Sequence, residues 1–184
     1  LDDAICDIID MRGYSVAVLL NQMPVFPVDI QQRIAAKIED FLFFNPLKGR
    51  RLMKRLATTI TRVAPVCRPN LLAALADVAA HVKHHPIDLA NLGNIAKDIL
   101  ESDTDIVRKG KAVEILGWGR TPEHVPVIIK SLKEAVKGID GFANYQFTET
   151  ALFTLKKLGG ESLLRLLVNP ASAEANQQLR LEWR

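Results

Sequence analysis

Six cations fall within the sixteen residues "LKGRRLMKRLATTITR", which contain no acid: Lys48, Arg50, Arg51, Lys54, Arg55 and Arg62. On a helix, at about 100° per residue, Lys48, Arg51, Arg55 and Arg62 share one narrow arc, flanked by Arg50 and Lys54. Leu52, Met53, Leu56, Ala57, Ile60 and Val63 take the opposite side. With no acid at i±4 inside the run, the positive field is not neutralised locally. The chemistry on offer is electrostatic: an acidic protein surface, a phosphate or a nucleic acid. The bland alternative is a solvated face paired with Glu39, Asp40 or Asp77 on neighbouring helices.

The remaining reactive residues converge less. His81, His84 and His85 stand in "HVKHH", and His81 with either partner has helical ligand spacing. No Glu or Cys joins them locally and Pro86 follows at once, so a cationic helix end is expected rather than zinc. His124 stands alone at a helix start and is expected on the surface, as a partner contact. Trp118 either packs between helices or anchors a partner. Cys6 and Cys67 do not indicate a disulfide framework; two buried free thiols are expected, with a single bridge as the alternative. The sequence lacks a nucleophile elbow, a phosphate-binding glycine loop and an H-E-x-x-H helix. "GWGRTP" is glycine-rich, but its glycines end a helix rather than join a strand to one. No catalytic residue, metal or cofactor is expected.

The elements that must position these residues are helical. The 184 residues suffice for one well-cored domain, and the 48% apolar and 24% charged content is that of a globular chain. The formal charge of +3 is mildly basic, short of the excess of a dedicated nucleic-acid binder. Apolar residues recur at helical spacing, and no alternating β run is found. "PVFPV" is β-like, but its two prolines argue against a central strand. The apolar stretch Tyr14–Val28 is too short for a membrane span and is interrupted by Asn21, Gln22, Pro24 and Pro27. A soluble, cytoplasmic protein is expected. The chain begins at Leu1, as a fragment or a processed product would.

Internal repetition organises the chain. Ala35, Ala74, Ala112 and Ala151 mark the middles of four segments, at steps of 39, 38 and 39 residues. A turn and a second helical segment follow each. Small residues suit places where helix axes approach to about 8–10 Å. Pro46, Pro86 and Thr121-Pro122 read as helix starts, and Asp103 or Thr104 as the cap of the helix through Ala112. Gly138 with Gly141, and Gly159-Gly160, read as turns. The expected units are 27–65, 68–102, 104–138 and 141–169, within one domain spanning 1–184. N-terminal capping helices fill 1–26, split near Gly13, and a polar helix fills 172–184.

The unit "DTDIVRKGKAVEILGWGRTPEHVPVIIKSL" resembles the HEAT-like repeats first noted in phycobilisome lyases. Asp105, Val107, Arg108, Ala112, Leu116, Gly117, Val125, Pro126, Ile129 and Leu132 fall at or close to that pattern. The unit from Gln146 to Val168 matches through Ala151, Leu155, Leu158, Gly159 and Gly160. Ile115 stands where the family has a second alanine, and Gly119 where it has a second leucine. The two units cover about a third of the chain; the Ala35 and Ala74 units fit the period but little of the detailed pattern. The resemblance implies an all-α, right-handed α-solenoid, an armadillo-type superhelix of about four helical hairpins with atypical ends.

Such an array offers surface rather than an enclosed pocket. The expected function is a non-enzymatic scaffold or adaptor, holding a protein partner, acidic where it meets the basic helix, on its concave face. The expected partner-binding residues are Lys48, Arg50, Arg51, Lys54, Arg55, Arg62, Trp118 and His124. The alternative is nucleic-acid binding through the same helix, 48–62. The resemblance also brings base excision and action on bilin–protein conjugates to mind, but no residue set for either is present. Membrane insertion is not expected, and the sequence leaves the oligomeric state open.

Overall fold

The computed structural model describes residues 13–44, 50–81, 90–119, 122–137 and 142–168. Among them every regular element is helical. The helices are α1 (Gly13–Gln22), α2 (Val28–Phe44), α3 (Arg50–Ile60), α4 (Arg68–Ala80), α5 (Ala90–Ser102), α6 (Ile106–Gly119), α7 (Val125–Lys137) and α8 (Phe142–Val168). Short 3-10 turns occupy Met23–Val25, Pro65–Cys67 and Pro122–His124. The chain divides into two compact units, Leu1–Ile95 and Ala96–Arg184, with the division inside α5.

In the first unit α4 packs against both α2 and α3, and α1 packs against α3. The burial pattern explains this. α2 buries Ile34, Ala35, Ile38 and Leu42, a single helical stripe. α4 buries Leu71 to Ala76, Val78 and Ala79, which is apolar almost all round and suits an element covered on several sides. Gln31 ties two turns of this unit together. Its Nε2 donates to the Phe26 carbonyl at 2.8 Å, and its Oε1 accepts from the Ala64 amide at 3.0 Å. "PVFPV" is thus a 3-10 turn leading into α2, as its prolines require.

In the second unit α8 packs along α6 and α7. Gly110 and Gly117 are buried on α6. A Cβ at Gly110 would lie 3.9 Å from the Phe147 ring, and one at Gly117 2.7 Å from Thr154 Cγ2. Both pairs are 37 residues apart, so α6 and α8 run in the same direction, in register over two turns. The first unit repeats the relation: Ala17 of α1 meets Arg55 of α3, 38 residues on, and Leu20 meets Thr59, 39 residues on. Ala35, Ala74, Ala112 and Ala151 are all fully buried.

Several local expectations change. The cap of α6 is Asp105, not Asp103 or Thr104. Its Oδ1 accepts from the Val107 amide at 2.8 Å and the Arg108 amide at 3.4 Å, the two donors an N-cap side chain can reach. Asp103 instead closes a turn one step earlier, its Oδ1 accepting from the Asp105 amide at 2.8 Å. Pro122 opens a 3-10 turn, and α7 starts at Val125. Gly159 and Gly160 do not break the chain into a hairpin: α8 runs through them as one helix of 27 residues. Pro46, Pro86, Thr121, Gly138, Gly141 and the segments 1–12 and 172–184 lie outside the described residues.

Candidate functional site

α3 is amphipathic in the sense its sequence demands. Leu52, Met53, Leu56, Ala57, Ile60 and the following Val63 are buried. Arg50, Arg51, Lys54, Arg55 and Arg62 are exposed. Burying the apolar stripe against α4 and α1 fixes the rotation of the helix, and with it the direction of the cations.

Four of these cations share one cleft of about 280 Å³. Arg51, Lys54, Arg55 and Arg62 line it from α3 and the turn after it, together with Thr58 and Thr59. Leu20 and Asn21, at the end of α1, supply the other wall. Among the described residues that line it, none is acidic and none is aromatic. Among the described residues Arg51, Lys54, Arg55 and Arg62 form no ion pair. Glu39, one of the acids weighed as partners of this face, accepts from Asn70 Nδ2 at 2.6 Å.

Two of the cleft residues also brace it. Arg55 Nη1 donates to the Ala17 carbonyl at 2.9 Å, and Thr59 Oγ1 donates to the Leu20 carbonyl at 3.0 Å. Leu20 is among the last carbonyls of α1, which lack partners within their own helix, so Thr59 satisfies one of them. Arg55 bonds a carbonyl in the middle of α1, which holds that helix against α3. Arg51, Lys54 and Arg62 have no such structural employment. Thr58 Oγ1 donates back to the Lys54 carbonyl at 2.8 Å, leaving its lone pairs as acceptors only.

The other expected site residues are not part of this cleft. Trp118 is half-buried on α6, in the second unit. His124 is not a surface residue: it is only 7% exposed, with Nε2 at 4.0 Å from Glu123 Oε1. A ring in the 3-10 turn before α7 is covered as that turn folds in, and an isolated histidine carries no sequence signal of this. Lys48 lies outside the described residues, as do His84 and His85. His81 is exposed, its Nδ1 2.9 Å from the Asp77 carbonyl near the end of α4. Asn21 and Leu20 escape sequence reading because they reach the site only through tertiary packing.

Among the described residues no three His, Cys, Asp or Glu side chains gather as a metal site. Cys67 is a free, buried thiol whose pKa is raised from 9.0 by desolvation. No described helix is long and apolar enough to cross a membrane. No family model, curated protein or solved structure matches the chain.

Proposed function

We propose that this chain is a non-enzymatic interaction scaffold, a helical-repeat protein of the HEAT-like, α-solenoid kind, which holds an acidic protein partner on the cationic face of α3. The observation that carries the binding role is the cleft of Arg51, Lys54, Arg55 and Arg62, four cations on one short stretch of chain, with no acid among its described lining residues. Four like charges close together raise each other's energy, and an anionic partner relieves that cost. The repeat reading draws on the separations between alternate helices. They are 38 and 39 residues in the first unit and 37 in the second, close to the spacing of the buried alanines.

The test is affinity capture with the intact chain, comparing wild type with Arg51→Glu/Arg55→Glu and with Arg51→Glu/Lys54→Glu. The second pair leaves the Arg55–Ala17 bond in place, so loss of fold and loss of binding separate. Circular dichroism should be unchanged for the second pair, and partner recovery should fall at least tenfold for both. Undiminished recovery at low salt would remove this face from consideration.

A further inference from the structure

We infer that the cleft is a phosphoryl-binding site that takes a phosphorylated serine or threonine side chain of the partner, an inference that rests on the partner-binding reading above. Charge density is the first reason. Arg51, Lys54 and Arg55 stand at i, i+3 and i+4, so all three project from one turn of α3 into the same cleft. A carboxylate brings a single negative charge to that turn. A phosphate monoester brings about −1.5 to −2 and three acceptor oxygens, which matches three cations far better.

Donor geometry is the second reason. Guanidinium groups meet phosphate oxygens through paired N–H bonds, whereas a lysine acts as a compact point charge. Arg55 is already held by the Ala17 carbonyl, so its fork is oriented before any ligand arrives, and less side-chain freedom is lost on binding. Shape is the third. The cationic residues line a shallow, open recess of about 280 Å³, into which a protruding side chain reaches.

Arg62 sets the ligand's second feature. It lies seven residues beyond Arg55, in the turn that follows α3, so the two charges are offset along the cleft by roughly two helical turns, about 10 Å. An extended peptide rises about 3.4 Å per residue, so an acidic side chain about three positions from the phosphorylated one reaches Arg62. A nucleic-acid strand fits the cleft less well. Its phosphodiesters carry one charge each, and the described lining residues include no aromatic platform for a base.

The experiment uses the full chain and fluorescence anisotropy with five labelled probes. They are a glycine-flanked phosphoserine peptide with glutamate three positions on, the same phosphopeptide without that glutamate, the first peptide with serine, the first with glutamate replacing phosphoserine, and a single-stranded oligonucleotide. The phosphopeptide should bind at least tenfold more tightly than its serine and glutamate twins. Inorganic phosphate should displace it well below the concentration of chloride that gives equal ionic strength. Arg51→Gln and Lys54→Gln should each weaken phosphopeptide binding about tenfold, a loss of about 1.4 kcal/mol, with unchanged circular dichroism. Arg62→Gln should weaken the glutamate-bearing phosphopeptide but not a version lacking the glutamate. Equal affinity for phosphorylated and unphosphorylated peptides overturns the inference. If charge reversal still abolishes partner capture in that case, the acidic-surface reading stands alone. Tighter binding of the oligonucleotide than of the phosphopeptide overturns both.

Discussion

Gly117 shows how tightly single residues set the second unit. A Cβ there would come within 2.7 Å of Thr154 Cγ2, and Thr154 is 3% exposed and β-branched, so it has little room to turn away. Gly117→Ala gains about 1 kcal/mol of helix propensity. It meets an overpacking cost of about 1–3 kcal/mol. A net loss of stability is expected in urea titration, and Thr154→Ser, which removes the opposing methyl, should recover it in the double variant. Cys67 supplies a pH-dependent term. Burial holds its thiol neutral, so the folded pKa lies above the unfolded one and the folded state binds the proton more tightly. That contribution is fully present below the ordinary thiol pKa and is lost as pH rises through the folded value. The urea midpoint should therefore drop between pH 7 and pH values above about 9, and drop less steeply in Cys67→Ala. The level of that variant also shifts through the cavity it opens, so the slope with pH is the readout.

The helices are where sequence and structure meet most closely. The stripe Leu52, Met53, Leu56, Ala57, Ile60 on α3 could be drawn from spacing alone, because a 3.6-residue period leaves only one face to bury. The exposure of Arg51, Lys54, Arg55 and Arg62 followed from the same arithmetic. Their gathering with Asn21 and Leu20 did not, since it depends on where α1 lands. The start of α6 was equally hidden: Asp103, Thr104 and Asp105 can all cap a helix, and only the backbone path selects Asp105. Asp105→Ala should lower the unfolding midpoint by about 1 kcal/mol of stability, with Thr104→Ala, whose side chain is exposed, near neutral. Equal losses from the two would show that the cap contributes nothing particular.

At the scale of the whole molecule, net charge is a poor guide to where charge acts. A formal +3 spread over 184 residues predicts weak, unspecific attraction, whereas four cations in one cleft concentrate the field. Partner binding should therefore weaken as ionic strength rises from about 50 to 200 mM, as the Debye length shortens toward about 8 Å. Calorimetry in a salt series measures this, and salt-independent affinity would point to an apolar interface instead.

The unbroken course of α8 through Gly159 and Gly160 has a mechanical meaning. Each glycine surrenders about 1 kcal/mol of helical preference relative to alanine, so two in succession leave a soft joint about two-thirds of the way along a 27-residue rod. Bending at that pair gives up less helical preference than bending at an alanine or leucine of the same rod. A molecule that had to adjust its last segment to a visitor would flex at that joint first, leaving the stretch that carries Phe147, Ala151 and Thr154 undisturbed.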